Sequence, residues 1–347
     1  MRAGLADRFE PISAMDAGAV LALARRERAG GLLSPGTDGP VRIAADVAAA
    51  LDLPHPLDPS TAARATDKLA QRRAFDDAGV PQPAWSSDAT AFPEGLRVVV
   101  KPAAAQGQRG LEIATARGDI AAVVAAAQAA SRDGRSLCEE FVEGPELTVN
   151  AFIDAGRFVA LTVTDRERAL AFGVATAHLY PSLHPAAEAV EAARAACAAL
   201  GVDSGPTYTQ VLLGPDGPRV MEVAARLGGG HDGELCAAAL GVDLSAAAVL
   251  AALGRAPGPL SPSCDRAAVV RFLIAPAGRL VRVEGLDEAR ALAGVEYACS
   301  YRAPGMQIEP LVRGPDRAGF VLASGASRAQ AEATARAAEA AIRFVVE

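Results

Sequence analysis

Lysine is almost absent from this chain. Of its 34 basic residues, only Lys68 and Lys101 are lysines and the other 32 are arginines. That bias makes each surviving ammonium informative, because a compact point charge and a planar guanidinium fork are not interchangeable at a crowded phosphate. Chance survival on a solvated face is the alternative. Aromatic residues are scarce too, at 4%, so alanine, valine and leucine must fill the core. The five cysteines (Cys138, Cys197, Cys236, Cys264 and Cys299) are odd in number, far apart and without metal spacing. They read as reduced cysteines used as small hydrophobes, the habit of a cytoplasmic protein. No run of eighteen apolar residues free of charge occurs, and the opening Met1 to Arg8 lacks the apolar core of a signal peptide. No membrane partner is expected. A net charge of −7 argues against a nucleic-acid partner, a local basic cleft aside.

Helical and strand patterns alternate along the 347 residues, which predicts an α/β protein with α+β subdomains. Helical spacing covers Met15 to Ala29 and Val41 to Leu51, with a short strand and turn over Gly31 to Asp38 between them. Ser60 to Ala78 reads as one helix with Ser60 as its N-cap. Strands are expected over Arg97–Lys101, Leu137–Phe141, Glu146–Asp154 and Arg157–Asp165, with helices over Ile120–Ser131, Ala186–Leu200 and Gly233–Leu240. Past Pro257 a Pro/Ser-rich linker leads to a final α+β segment, with strands near Ala267–Ile274 and Gly319–Ala323 and a terminal helix from Ser327 to Phe344. The divisions implied are 1–60, 61–255 with a lid over about 85–145, and 256–347.

Three stretches carry chemistry. Gly214-Pro215-Asp216-Gly217 is a hairpin signal. If its strands pair symmetrically about Asp216, Gln210 and Glu222 face each other across it and offer two oxygens to a hard divalent ion. From the hairpin alone, an ordinary cross-strand polar pair on a wet face is the stronger reading. Glu222 is followed by Arg226 and by Gly228-Gly229-Gly230-His231. A guanidinium and close-approaching glycine backbone suit an anion beside a metal, and so would a flexible turn near a surface arginine. Finally, Leu137 to Glu146 is a strand leaving into an acidic Gly-Pro turn. It could offer adenine a backbone hinge and the ribose a carboxylate.

Taken in order, these pieces resemble the ATP-grasp superfamily, and within it the carboxylate–amine ligases. They are Lys68 with Arg72 and Gly79-Val80-Pro81; Val100-Lys101-Pro102 with Gln106 to Gly110; Glu139 to Glu146; and Gln210 with Glu222 to Gly230. The resemblance implies an ATP-grasp fold with a shortened, nucleotide-fold-like N-terminal domain and a C-terminal α+β closing subdomain. It implies ATP and Mg²⁺, with Mn²⁺ as a substitute, and the possibility of a homodimer. Lys68 and Lys101 would contact phosphates beneath a lid containing Gln106, Gly107 and Arg109. Glu139 and Val142 would form the adenine hinge and Glu146 would bind the ribose. Gln210 and Glu222 would hold the metal, with Arg226 and Gly229 facing the transferred phosphoryl group. His178, His231 and Asp232 are candidate substrate residues. Two departures stand out: Gln210 where the superfamily commonly has a carboxylate, and Ala224 where many members have asparagine. A small residue at the second position resembles the L-amino-acid ligase branch. The reaction implied is activation of a carboxylate as an acyl phosphate and its capture by an amine, with amino acids as substrates. The alternatives are bicarbonate or carbamate activation, and a non-catalytic ATP-binding module.

Overall fold

The computed structural model describes residues 7–104, 110–116, 118–169 and 173–347. Four helices come first: α1 (Ala17–Arg26), α2 (Asp38–Ala50), α3 (Pro59–Ala65) and α4 (Lys68–Ala78). The region expected as one helix from Ser60 is therefore two. Asp58 caps α3 through the amides of Ser60 and Thr61, so Ser60 lies inside the helix. Asp67 adopts an extended backbone and accepts hydrogen bonds from the amides of Leu69 and Ala70. An aspartate that satisfies two orphan donors starts a new helix, and this one sets Lys68 at its first turn. The strand expected over Gly31 to Asp38 is not formed.

The region expected as the lid comprises β1 (Trp85–Ser86), β2 (Arg97–Pro102), β3 (Glu112–Thr115), α5 (Ile120–Ala130) and β4 (Ser136–Glu140). Its strands form a separate sheet in the order β1-β4-β2-β3. The chain then builds β5 (Glu146–Asp154), β6 (Arg157–Arg168), β7 (Ala175–Tyr180), α6 (Ala187–Leu200), β8 (Gly205–Gly214), β9 (Gly217–Ala224), α7 (Asp232–Leu240) and α8 (Leu244–Ala252). The last part holds β10 (Ala267–Leu273), β11 (Gly278–Glu284), α9 (Leu286–Ala291), β12 (Val295–Ser300), β13 (Gln307–Ile308), β14 (Gly319–Gly325), α10 (Arg328–Ala341) and β15 (Arg343–Val346). Residues expected as the tail of the terminal helix instead form β15, which pairs with β11.

One eight-stranded sheet runs β12-β14-β10-β7-β6-β5-β8-β9. Three of its strands lie beyond the linker, so the segment from 256 on extends the central sheet, while the segment's other three strands form a small sheet of their own in the order β13-β11-β15. Period-two alternation gives this sheet two buried faces. On β5, Phe152 enters the core under α7 and α8, with Leu235, Leu240 and Phe272, while its neighbour Ile153 enters the core under α6, with Leu200 and Val223. The helices are alanine-rich, so each contact is small and stability depends on close approach rather than on large side chains.

The exposed edge of this sheet, β9, is closed by side chains of α4. Gln71 takes the amide of Val223 at 3.0 Å and donates to its carbonyl at 2.8 Å. Arg72, almost wholly buried, donates to the carbonyls of Val220 (2.9 Å) and Met221 (2.5 Å). Its Nε meets Glu139 of β4 at 2.6 Å. An open strand edge is thus satisfied without a further strand. Among the described residues no single helix is long and apolar enough to cross a membrane.

Removing one member of a buried ion pair leaves an uncompensated charge. The Arg72→Met variant should lose about 3–5 kcal/mol of stability, read as a lower urea midpoint. Surface Arg194→Met, whose pair with Glu191 is solvated, should change little.

Candidate active site

The lid and the central sheet enclose a cavity of about 500 Å³. Six cationic side chains border it, Lys68, Lys101, Arg166, Arg168, Arg226 and Arg317, against four carboxylates, Asp38, Glu139, Glu146 and Glu222. In a chain of net charge −7, a cleft with excess positive charge is a local exception that favours an anionic ligand. Val99, Leu111, Phe141, Val142, Leu212 and Met221 supply apolar lining.

The charged groups are brought together from several elements. Lys101, on β2, is buried with its Nζ 2.7 Å from Glu139, whose other oxygen is held by Arg72. Burial lowers the Lys101 pKa, against the pull of Glu139. Burial would raise the Glu139 carboxyl, but Arg72 and Lys101 outweigh it and hold the group ionised. Lys68 at the start of α4 lies 3.3 Å from Glu222. Glu222 is likewise kept low, its burial outweighed by Lys68, Lys101 and Arg226. Arg226 pairs with Asp38 of α2 at 2.5 Å. Glu146, at the start of β5, is bonded to Arg166 and Arg168 of β6 and accepts from Gln210 Nε2 at 2.6 Å.

Gln210 and Glu222 do pair across the hairpin, for a reason other than symmetry about Asp216. The turn is centred between Pro215 and Asp216: Gly214 pairs with Gly217, and Val211 with Val220. Continued regularly, that register would set Gln210 opposite Met221. A bulge at Met221 shifts the register by one and brings Glu222 opposite Gln210. Arg72 grips the carbonyl of the bulged residue.

With its amide nitrogen on Glu146, Gln210 has its carbonyl oxygen left as a donor to a cation. Among the described residues no group of three or more His, Cys, Asp or Glu could hold a metal alone. Two oxygens suit an ion that draws the rest of its shell from phosphates and water, as Mg²⁺ does.

Residues 65–230 match a family model described as an ATP-grasp domain, and residues 271–347 match one described as L-amino acid ligase C-terminal domain 2. Residues 65–230 are an ATP-grasp domain. The chain is 31% identical to the uncharacterized protein y4rH of Sinorhizobium fredii over 81% of its own length and 61% of that protein's. It is 37% identical to carnosine synthase 1 of Gallus gallus over 35% of its own length and 13% of that one's. The chain thus spans about three fifths of the first relative and a small part of the second. Among solved structures, the L-amino acid ligase of Bacillus licheniformis superposes with a TM-score of 0.81 at 21% identity, over 96% of this chain and 85% of that one. The phosphoribosylglycinamide synthetase of Anaerococcus prevotii gives 0.79 at 15% identity, over 99% and 90%.

In and around this ATP-grasp domain, Lys68, Lys101, Glu139, Val142, Glu146, Gln210, Glu222, Arg226, Gly229 and His178 all border the one cavity. Gln106, Gly107 and Arg109 lie outside the described residues. Three expectations need correction, the first being Asp232, which does not line the cavity and is buried against His178. The Glu139 carboxylate is wholly buried between Arg72 and Lys101, so it orients the lysine and is not free to serve an adenine hinge. His231 does not line the cavity. Its ring stacks on Phe320 at 3.5 Å between centroids, and its Nε2 meets the Tyr301 hydroxyl at 2.5 Å, so it supports Tyr301 from behind.

The glycines after Arg226 are also not alike. A Cβ at Gly228 would fall 2.1 Å from the Asp232 carboxylate, and one at Gly230 would fall 2.1 Å from His178 Cε1. Those two glycines provide clearance for side chains packed beneath them. At Gly229 the nearest atom, the carbonyl oxygen of Gly36, is 3.8 Å away.

His178 sits within β7 and is buried. Its Nδ1 lies 3.1 Å from Asp232 Oδ1, which also accepts from Asn150 at 3.3 Å. Burial pushes the imidazole pKa down, against the pull of Asp232. Burial would raise the Asp232 carboxyl, yet His178, Arg166 and Asn150 bring it to about 2. The pair is a neutral imidazole donating Nδ1–H to a carboxylate, so Nε2 carries the lone pair.

Sequence reasoning missed Asp38, Arg166, Arg168, Tyr301 and Arg317. Only Arg166 and Arg168 carried a signal, because charges at i and i+2 of a strand share a face.

A buried neutral histidine resists a proton that the unfolded chain accepts. Its contribution is intact above the ordinary value of 6.5 and declines as pH falls below it. The thermal midpoint of the wild type should therefore drop between about pH 7.5 and 5.5. In His178→Gln that slope should be shallower.

Proposed function

We propose that this protein is an ATP-dependent ligase that joins a carboxylate to an amine through an acyl phosphate. One observation carries the reading: Lys68, Lys101, Gln210, Glu222 and Arg226 converge on a single cavity of excess positive charge between a lid and a sheet. The match of residues 271–347 to an L-amino acid ligase domain supports amino acids as the substrate class.

In this reading Lys68 and Lys101 take the nucleotide phosphates and neutralise their charge. The apolar lining around Phe141, Val142 and Leu212 receives the base. Gln210 and Glu222 hold a divalent cation, which when bound withdraws charge from the phosphate oxygens. A substrate carboxylate oxygen attacks the γ-phosphorus, the bond to the β,γ-bridging oxygen breaks, and ADP leaves. Arg226, fixed by Asp38 and reaching the cavity beside Gly229, stabilises the charge that develops on the transferred group. The amine nitrogen then attacks the acyl carbon, and inorganic phosphate departs with the electron pair of the C–O bond. His178 Nε2 accepts the proton released by the nitrogen, and Asp232 stabilises the imidazolium so formed.

The test is ADP release with Mg²⁺ across a matrix of amino acids and small carboxylates. The expected result is release that requires two organic substrates and falls about 100- to 1,000-fold in Arg226→Ala. Release stimulated by bicarbonate alone would replace this reading with carboxylate activation of another kind. Nucleotide binding without turnover across the matrix would sink it.

A further inference from the structure

The end of the cavity away from the lysines is closed by the C-terminal part of the chain. Arg317 lies just before β14, with its guanidinium carbon 3.6 Å from the centre of the Phe272 ring. One Nη donates to the carbonyl of Ala175 at 2.7 Å. Its Nε is shut off from solvent and has no hydrogen-bond partner. The other five cations of the cavity each pair with a carboxylate: Lys68 with Glu222, Lys101 with Glu139, Arg166 and Arg168 with Glu146, and Arg226 with Asp38. Among the described residues, Arg317 alone of the six has no aspartate or glutamate in an ion pair. Burial, helped by the like charge of Arg166, lowers its pKa to about 10, so it remains a cation at neutral pH.

A desolvated guanidinium without a counter-ion is unfavourable, and its planar fork matches a carboxylate. The same ring also meets His178, whose imidazole packs edge-on to Phe272 at 5.6 Å. Arg317 and the proposed proton acceptor therefore border one aromatic ring. In an α-amino acid the ammonium and carboxylate share a carbon. A carboxylate on Arg317 would hold the nitrogen within a few ångströms, on the side where His178 stands.

We propose that Arg317 anchors the carboxylate of the amine substrate, so that the nucleophile is an amino acid with a free carboxylate and not a simple amine. This deepens the ligase reading and rests on it. Arg317 is a binding residue for the nucleophile. It is separate from the cations assigned to the nucleotide, and it selects by charge.

The full-length protein, loaded with Mg²⁺ and a non-hydrolysable ATP analogue, is titrated by calorimetry with L-amino acids and with their α-amides. The wild type should bind at least one amino acid about 10- to 100-fold more tightly than its amide. In Arg317→Gln the amino acid should fall to the level of the amide, while the amide itself binds as before. Arg317→Lys should recover part of the difference, and it serves if the glutamine variant fails to fold. A uniform loss for acid and amide would make Arg317 a structural residue and overturn the proposal. So would absence of discrimination in the wild type, or binding by no amino acid. Inorganic phosphate competing with the amino acid only when Arg317 is present would assign the group to a phosphoryl site instead. ADP release is measured in parallel. If it is absent while amino acid and amide are still distinguished, the ligase reading fails and the anchor stands.

Discussion

The buried contact of Arg72 with Glu139 is the constraint on which the site depends. Arg72 belongs to α4, Glu139 to the lid sheet, and the carbonyls that Arg72 also holds belong to the edge strand of the central sheet. One guanidinium thus joins three elements that share no strand pairing. Glu139 passes the constraint on to Lys101, and the Met221 carbonyl passes it to the bulge that presents Glu222. A buried ion pair is weak evidence for net stability, because desolvation offsets much of its attraction. Its contribution here is geometric, since it keeps two sheets in register at the point where both contribute charge to one cavity.

Much of this was legible in the sequence, and what escaped has a common cause. Local pattern located most strands and helices and paired Gln210 with Glu222, because such features repeat along the chain or sit at short spacing, while the resemblance to ATP-grasp ligases grouped that pair with Lys68, Lys101 and Arg226. The hairpin pair was found, but for the wrong reason: a bulge leaves no mark in a pattern of alternation that fits two registers almost equally. The break between α3 and α4 was lost because Thr66 and Asp67 interrupt no apolar spacing, and it shows only in the capping geometry of Asp67. Asp38, Tyr301 and Arg317 come from parts of the chain far from the site in sequence, and nothing local distinguishes them from surface residues.

Side chains also changed meaning once their neighbours were known. Glu139 looked like a ligand in an acidic turn and is instead a wholly buried counter-ion. His231, next to the glycines, looked well placed and is turned away onto Phe320. Three of the five cysteines are buried, and burial raises the Cys138 and Cys197 thiols to about 11 and the Cys236 thiol to about 12. That agrees with their reading as small hydrophobes, because thiols so shifted are poor nucleophiles.

The connection from Ala224 to His231 has one more consequence. It leaves the edge strand β9 and reaches His178 on β7, four strands away in the sheet. At ~4.8 Å per strand that is roughly 19 Å, while seven residues can span at most about 25 Å. The segment therefore works as a strap with little slack, laid across the sheet face. A strap under that limit ties Arg226 at one end to Asp232 at the other, and the distance between them is set by the width of the sheet beneath. The working length of the cleft is then counted in strands, and side-chain changes along it can alter what it grips but not how far it reaches.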